Sequence, residues 1–168
     1  MKILFTGAGS GGHVFPIVAI AREIRRIYTK NDLELCYLGP KDDFGLVLLS
    51  QEDFKITTIV SGKIRRYFSL ENVIDIVFKI PIGILQSFFL LIKDRPLMVF
   101  SKGGSGSISV VIAAKLLHIP IFIHESDIYP GLSNQVASKW TKKILTSFPK
   151  TEYFNPQKVT IIGNPIRK

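Results

Sequence analysis

The chain has 168 residues, enough for one domain with a real hydrophobic core, and 46% of them are hydrophobic. Its 22 Lys and Arg against 13 Asp and Glu give a net charge of +9, a balance that admits nucleic acid, an anionic membrane surface or an acidic small ligand. The basic residues are not interleaved with exposed aromatics along one element, which argues against a nucleic-acid groove, and the single cysteine, Cys36, excludes an internal disulfide.

The chain opens on Met1 and a buried-type strand rather than a charged, then apolar, leader, so export is not expected and a reducing compartment fits. That strand, 2–6, runs into Gly7, Gly9, Gly11 and Gly12, and a helix over 14–28 begins beside His13. A strand-to-helix turn of this kind aims the first free N–H groups of the helix at one spot, where a phosphate or sugar oxygen can sit. Pro16 is expected in the first helical turn, where a missing N–H is harmless. The turn is not the dinucleotide fingerprint, no acidic residue ends the second strand, and no GK[ST] follows, so neither NAD nor ATP is favoured. On its own, His13 has the plainer reading of a cap or packing residue.

Further strands are expected near 33–38, 55–60, 97–101, 120–124, 142–146 and 158–162, with helices near 42–51, 70–92, 106–118 and 131–139. Cys36 falls in the second strand as a small core residue. Strands such as IPIFIH and LMVFS are apolar on both faces, as when helices cover both sides of a parallel sheet. The fold class is therefore α/β: a doubly wound, mainly parallel sheet of about seven strands with helices on both faces. Gly163, Asn164 and Pro165 after the last strand read as the entry to another element.

Residues 70–92 are apolar but interrupted by Asp75, Lys79, Pro81 and Gln86, and the run after Lys79 is short for a hydrocarbon core of roughly 30 Å. Two readings stay open: a core helix kinked at Pro81, or an amphipathic face that rests on a membrane beside Lys63, Arg65, Arg66 and Lys79.

A second glycine turn, Ser101 to Ser107, follows the fourth strand, and a third polar loop, His124-Glu125-Ser126-Asp127 on to Gly131 and Asn134, follows the fifth. In an open α/β sheet the ligand crevice lies beyond the carboxyl ends of the strands, so these loops can converge with the first. Each taken singly reads equally as a tight turn. Adjacent His124 and Glu125 on a strand point opposite ways and make a poor chelate, and without HExxH or a Cys cluster no metal site is expected. There is no GxSxG nucleophile elbow.

Five ordered motifs, GAGSGGHVFP, SGKIRR, SKGG, PIFIHESD with GLSN, and GNPIR, resemble the N-terminal half of the MurG family of membrane-associated N-acetylglucosaminyltransferases. The resemblance covers essentially the whole chain. It implies the Rossmann-like N-terminal half of a two-domain GT-B enzyme of glycosyltransferase family 28. Residues 1–163 would form the acceptor and membrane-binding domain, 164–168 would begin the interdomain hinge, and a C-terminal donor-binding domain, in cis or in trans, would complete the enzyme.

The implied reaction moves GlcNAc from UDP-GlcNAc, a substrate rather than a bound cofactor, to the MurNAc C4 hydroxyl of lipid I. Inversion gives lipid II for peptidoglycan synthesis, at the cytoplasmic face of the bacterial membrane on its anionic inner leaflet. No cofactor, metal or nucleic acid is implied. By resemblance, Ser10, Gly11, Gly12, Asp127 and Arg167 belong to the donor site, and His13, Gly103, Gly104, Ser105 and Asn134 to the acceptor site. The base is open between His13, Glu125 and Asp127. The membrane patch would include Ile64, Arg65, Arg66, Phe68, Ile74, Phe78 and Lys79. Two departures stand out: Ser105 replaces a common aromatic, and HESD replaces HEQN, putting the Asp127 carboxylate where an amide is usual. A membrane-docked subunit recruiting a separate donor-binding chain is the alternative.

Overall fold

Apolar runs bounded by glycine, proline and charge become seven strands. In the computed structural model, which describes residues 1–8, 11–28, 30, 32–65, 69–149 and 152–165, these are β1 (Lys2–Ala8), β2 (Glu34–Gly39), β3 (Lys55–Thr58), β4 (Met98–Gly104), β5 (Ile121–Glu125), β6 (Lys143–Thr146) and β7 (Val159–Ile161). The connecting helices are α1 (Gly11–Ile27), α2 (Asp43–Ser50), α3 (Leu70–Ile74), α4 (Ile80–Asp94), α5 (Ser107–Leu116) and α6 (Leu132–Ser138), with a 3-10 turn at Pro156–Lys158. All strand pairs are parallel, in the order β3-β2-β1-β4-β5-β6-β7. The order reverses between β1 and β4, the position at which such sheets open a crevice.

Alternate side chains of each strand feed two cores. Ile3 and Phe5 pack with Val14, Ile17, Val18 and Ala21 of α1 and with Leu49 of α2, where the Phe5 ring meets Phe54 and Phe100 at centroid distances of 5.5 Å. Leu4, Val99 and Ile123 face Leu91, Val110, Val111, Ala114 and Ala137 on the helices of the opposite side. Helices on both faces account for strands that carry no polar side.

Two expectations need correction. The first helix starts at Gly11, not Val14, so Pro16 is its sixth residue and lies in the second turn, where the Gly12 carbonyl loses an N–H partner. Pro16 is itself buried, and that burial offsets the loss. The kink expected at Pro81 takes another form: a π turn, Asp75–Lys79, joins α3 to α4, and Ile80 N–H bonds back to the Asp75 carbonyl. The wider turn makes room for the proline that opens α4.

The run Leu70–Asp94 is 25 residues long and, by length and composition alone, apolar enough to cross a membrane. Here it covers the sheet: Gln86 accepts a hydrogen bond from Val60 N–H at 2.8 Å, Ser87 and Leu91 are buried, and Ser109 of α5 donates to the Ile80 carbonyl at 3.3 Å. Its other side, with Leu70, Val77, Phe78, Leu85 and Phe89, is exposed.

Asp75, only 2% exposed, clasps this helix to the loop after β3. Its carboxylate accepts from Lys63 N–H at 3.1 Å and Arg65 Nη1 at 2.8 Å, and pairs with Lys79 at 2.6 Å. The Lys79 ammonium, with the Lys63 amide and Arg65 adding to it against the opposing effect of burial, holds its pKa down to about 2. This stabilisation is complete above the ordinary carboxylate value of 3.8 and is lost as pH falls toward 2. Asp75→Asn is expected to lower stability by about 2 kcal/mol, the scale for hydrogen bonds to a charged group, read from urea unfolding at neutral pH, and to flatten the loss between pH 4 and pH 2.

Candidate functional site

The start of α1 and three loops at the carboxyl ends of β3, β4 and β5 line a cavity of about 360 Å³. Its wall takes His13 from α1, Lys63, Ile64 and Arg65 from the loop after β3, Gly104 and Ser105 from the turn after β4, and Glu125, Asp127 and residues 131–134 from the loop after β5 and the start of α6. The turns after β4 and β5 converge beside the start of α1, and the loop after β3 joins them.

The turn after β4 is shaped by a bulge. Thr6 pairs with Ser101 but Gly7 pairs with Gly103, so Lys102 is an extra residue against β1. Gly103 and Gly104 follow at φ of 89°, a conformation open to glycine. A Cβ on Gly103 would lie 2.9 Å from the Asn134 amide, so glycine here serves the packing of Asn134 under the turn. Gly7 likewise lets the Lys102 side chain pass, at 3.1 Å from where its own Cβ would be.

Glu125 organises the loop after β5. It is 5% exposed; Oε1 accepts from Asp127 N–H at 3.0 Å, and Oε2 accepts from Gly131 N–H at 3.1 Å and Asn134 Nδ2 at 3.0 Å. Asn134 Nδ2 also donates to the His124 carbonyl at 3.1 Å, and Ser133 Oγ donates to the Gly104 carbonyl at 2.9 Å, closing the loop onto the turn after β4. Both Glu125 oxygens are thus engaged, while Asp127 is exposed at the cavity.

His13 is half-buried at the start of α1, with Nδ1 buried and lacking a hydrogen-bond partner among the described residues. Burial pushes its pKa below the ordinary 6.5 and the Lys102 ammonium pushes it further, against the Lys102 backbone and the carboxylates of Glu125 and Asp127. The imidazole is neutral at neutral pH and able to take a proton.

Gly11 and Gly12 form the first helical residues, just before His13. Of the residues expected in a membrane patch, Ile64 and Arg65 line the cavity, whereas Ile74, Phe78 and Lys79 lie on the exposed outer side of the long helix. Ser10, Arg66, Phe68 and Arg167 lie outside the described residues.

Residues 3–146 match the glycosyltransferase family 28 N-terminal domain. The chain belongs to that family. Curated relatives of this family 28 domain include a protein of Borrelia turicatae named UDP-N-acetylglucosamine--N-acetylmuramyl-(pentapeptide) pyrophosphoryl-undecaprenol N-acetylglucosamine transferase. It is 42% identical over 169 residues, covering 99% of this chain and 46% of that protein. A protein of the same name from Streptococcus mutans is 43% identical over 154 residues, covering 90% of this chain and 41% of its own. The chain spans about half the length of the curated relatives it matches.

Among solved structures, Acinetobacter baumannii MurG superposes with a TM-score of 0.80 at 24% identity, covering 99% of this chain and 46% of that one. The UDP-GlcNAc 2-epimerase of Neisseria meningitidis bound to UDP-GlcNAc gives 0.68 at 16% identity, covering 98% and 47%. At these identities the likeness is one of fold, and it bears out the doubly wound α/β reading.

Two residues of the family 28 domain take their place from the structure alone, although His124 already stood in the third polar loop. Lys102, 1% exposed, reaches Ser126 Oγ at 2.9 Å beneath the cavity; its one sequence signal is a lysine inside an otherwise buried strand. His124 is fully buried, with Nε2 3.4 Å from both the Gly163 carbonyl and Ser147 Oγ. Burial, reinforced by Lys102 and opposed by the Gly163 backbone, lowers its pKa to about 4. Its folded value lies below the ordinary 6.5, so its stabilisation is present above pH 6.5 and is lost as pH falls toward 4. Urea midpoints should decline over that interval, and His124→Gln should flatten the decline.

Proposed function

We propose that the domain is the acceptor half of an inverting N-acetylglucosaminyltransferase of peptidoglycan synthesis, taking GlcNAc from UDP-GlcNAc to the MurNAc C4 hydroxyl of lipid I. The observation that carries this reading is a neutral His13 at a helix N-terminus, on the wall of a cavity that also holds the Asp127 carboxylate and the cations Lys63 and Arg65. The names of the curated relatives support the sugar nucleotide and the acceptor class.

In this reading the C4 oxygen attacks the anomeric carbon as the bond to UDP breaks, and His13 accepts the hydroxyl proton. The N–H groups that open α1, with the positive end of the helix dipole, face the charge that develops on the leaving diphosphate. Glu125, with both oxygens engaged by loop donors, positions the loop rather than taking a proton. Asp127 accepts hydrogen bonds from sugar hydroxyls, the role open to a carboxylate where an amide is common. Lys63 offers a cation to the acceptor diphosphate, and Arg65, held by Asp75 and Glu71, lines the same wall. Ser105 leaves room in the acceptor pocket where an aromatic would fill it.

The exposed apolar side of the long helix, with Ile74, Phe78, Leu85 and Phe89, rests in this reading on the anionic cytoplasmic leaflet, and Lys79, Lys93 and Arg95 meet headgroups. Co-sedimentation with phosphatidylglycerol vesicles is expected, and loss of it in a Phe78→Ser, Phe89→Ser variant, at unchanged urea midpoint, checks the surface.

Activity is tested with radiolabelled UDP-GlcNAc and lipid I, using the chain alone and fused to the C-terminal half of the Borrelia turicatae relative. The chain alone should give no turnover and the fusion should transfer GlcNAc. His13→Ala in the fusion should lower kcat by about 10²-fold or more, the range for general-base removal, with little change in KM for UDP-GlcNAc. Unchanged kcat would remove His13 from the proton transfer, and normal transfer by the chain alone would refute the need for a second half.

A further inference from the structure

A lysine at the bulge between β1 and β4 is an expensive residue to bury. Lys102 is 1% exposed, and an ammonium withdrawn from water destabilises the fold by several kcal/mol unless it is compensated. Its Nζ donates to Ser126 Oγ at 2.9 Å, and the same Oγ lies 3.5 Å from Asp127 Oδ1. The charges that act on Lys102 are the carboxylates of Glu125 and Asp127, which support the ammonium against burial. Glu125 is already engaged by the Asp127 and Gly131 amides and by Asn134. Asp127 has the Ser126 hydroxyl as its hydrogen-bond donor among the described residues. The order is therefore buried cation, hydroxyl, carboxylate at the cavity.

We propose that Lys102 is a positioning residue: through the Ser126 hydroxyl it aims the Asp127 carboxylate into the cavity and balances its charge. This carboxylate would otherwise repel an anionic sugar nucleotide or lipid-linked diphosphate, and the ammonium behind it cancels that repulsion. The bulge is the device that turns the lysine inward, since an in-register strand would have no extra residue to place there. The functional consequence rests on the transferase reading, but the coupling between Lys102 and Asp127 does not.

The same ammonium acts on His13, whose other charged neighbours are Glu125 and Asp127 on the loop after β5, with Lys63 and Arg65 on the loop after β3 sharing the cavity wall. Lys102 pushes the His13 pKa down, so removing the lysine charge moves it up. The acid limb of any activity that needs neutral His13 then moves to higher pH.

The test is a double-mutant cycle on the 168-residue chain with Lys102→Met, Asp127→Asn and the pair, plus Ser126→Ala, which cuts the relay without changing charge. Urea midpoints and an NMR titration of the His13 ring are the readouts. Asp127→Asn and Ser126→Ala should each lower the midpoint in the parent, because each strips a partner from a buried ammonium, and neither should lower it in the Lys102→Met background. The His13 titration should move upward in Lys102→Met. Additive losses, or a His13 titration unmoved by Lys102→Met, overturn the proposal. If Lys102→Met does not fold alone while Lys102→Met, Asp127→Asn does, that rescue supports the pairing; failure of both overturns it.

In the active fusion, Lys102→Met should reduce kcat/KM by about tenfold or more, the factor that 1.4 kcal/mol corresponds to, and adding Asp127→Asn should recover most of it. A fusion with no transferase activity refutes the functional reading, while the midpoints and the His13 titration still decide the relay.

Discussion

The carboxylate of Glu125, buried where β5 ends, accepts N–H groups from Asp127, Gly131 and Asn134, and the shape of the whole cavity depends on it. A strand that leaves a parallel sheet must satisfy its next backbone amides somewhere, and here one side chain gathers two amides and an amide side chain into a single knot. The knot places Asn134 beneath Gly103 and Ser133 against the Gly104 carbonyl, so the loop after β5 and the turn after β4 are held as one surface. His13 meets that surface from α1 because the sheet order reverses between β1 and β4.

On the other side of the cavity, the segment from 61 to 94 serves two surfaces with one clasp. Asp75 holds the main chain of Lys63 and the guanidinium of Arg65, two residues of the cavity wall, while the π turn that begins at Asp75 leaves Ile76, Val77 and Phe78 outward. One buried carboxylate thus sorts the basic residues of this region: some belong to the cavity, and Lys79 belongs to the exterior. The same burial that makes the clasp strong makes it acid-sensitive, as the low pKa of Asp75 records.

Charge in the cavity is arranged around a cation that never reaches the surface. Lys102 favours the neutral forms of His13 and His124, and its counter-charges stand on the loop knotted by Glu125. The +9 net charge of the chain is therefore a poor guide to this site, where a buried lysine faces two carboxylates. What matters is which charges are desolvated, since only those interact strongly at low effective dielectric.

Strand positions, the parallel sheet and the convergence of glycine and polar loops were legible in the sequence, because a strand buried on both faces must be apolar throughout and chain breaks need glycine or proline. Helical periodicity placed α1 but not its first turn, since Gly11 and Gly12 carry no apolar signal, and so Pro16 fell one turn deeper than expected. The inward facing of Ile64 and Arg65 was hidden because it depends on Asp75, ten residues on from Arg65 within an apolar helix. Lys102 was hidden for a related reason: a bulge is a mismatch of register between β1 and β4, nearly a hundred residues apart, and no local pattern encodes it. The sequence by itself determined which residues could be buried and where the chain could turn, for these follow from side-chain solubility and backbone sterics. Only the tertiary structure decided which charged groups face one another, because that depends on distances between distant segments.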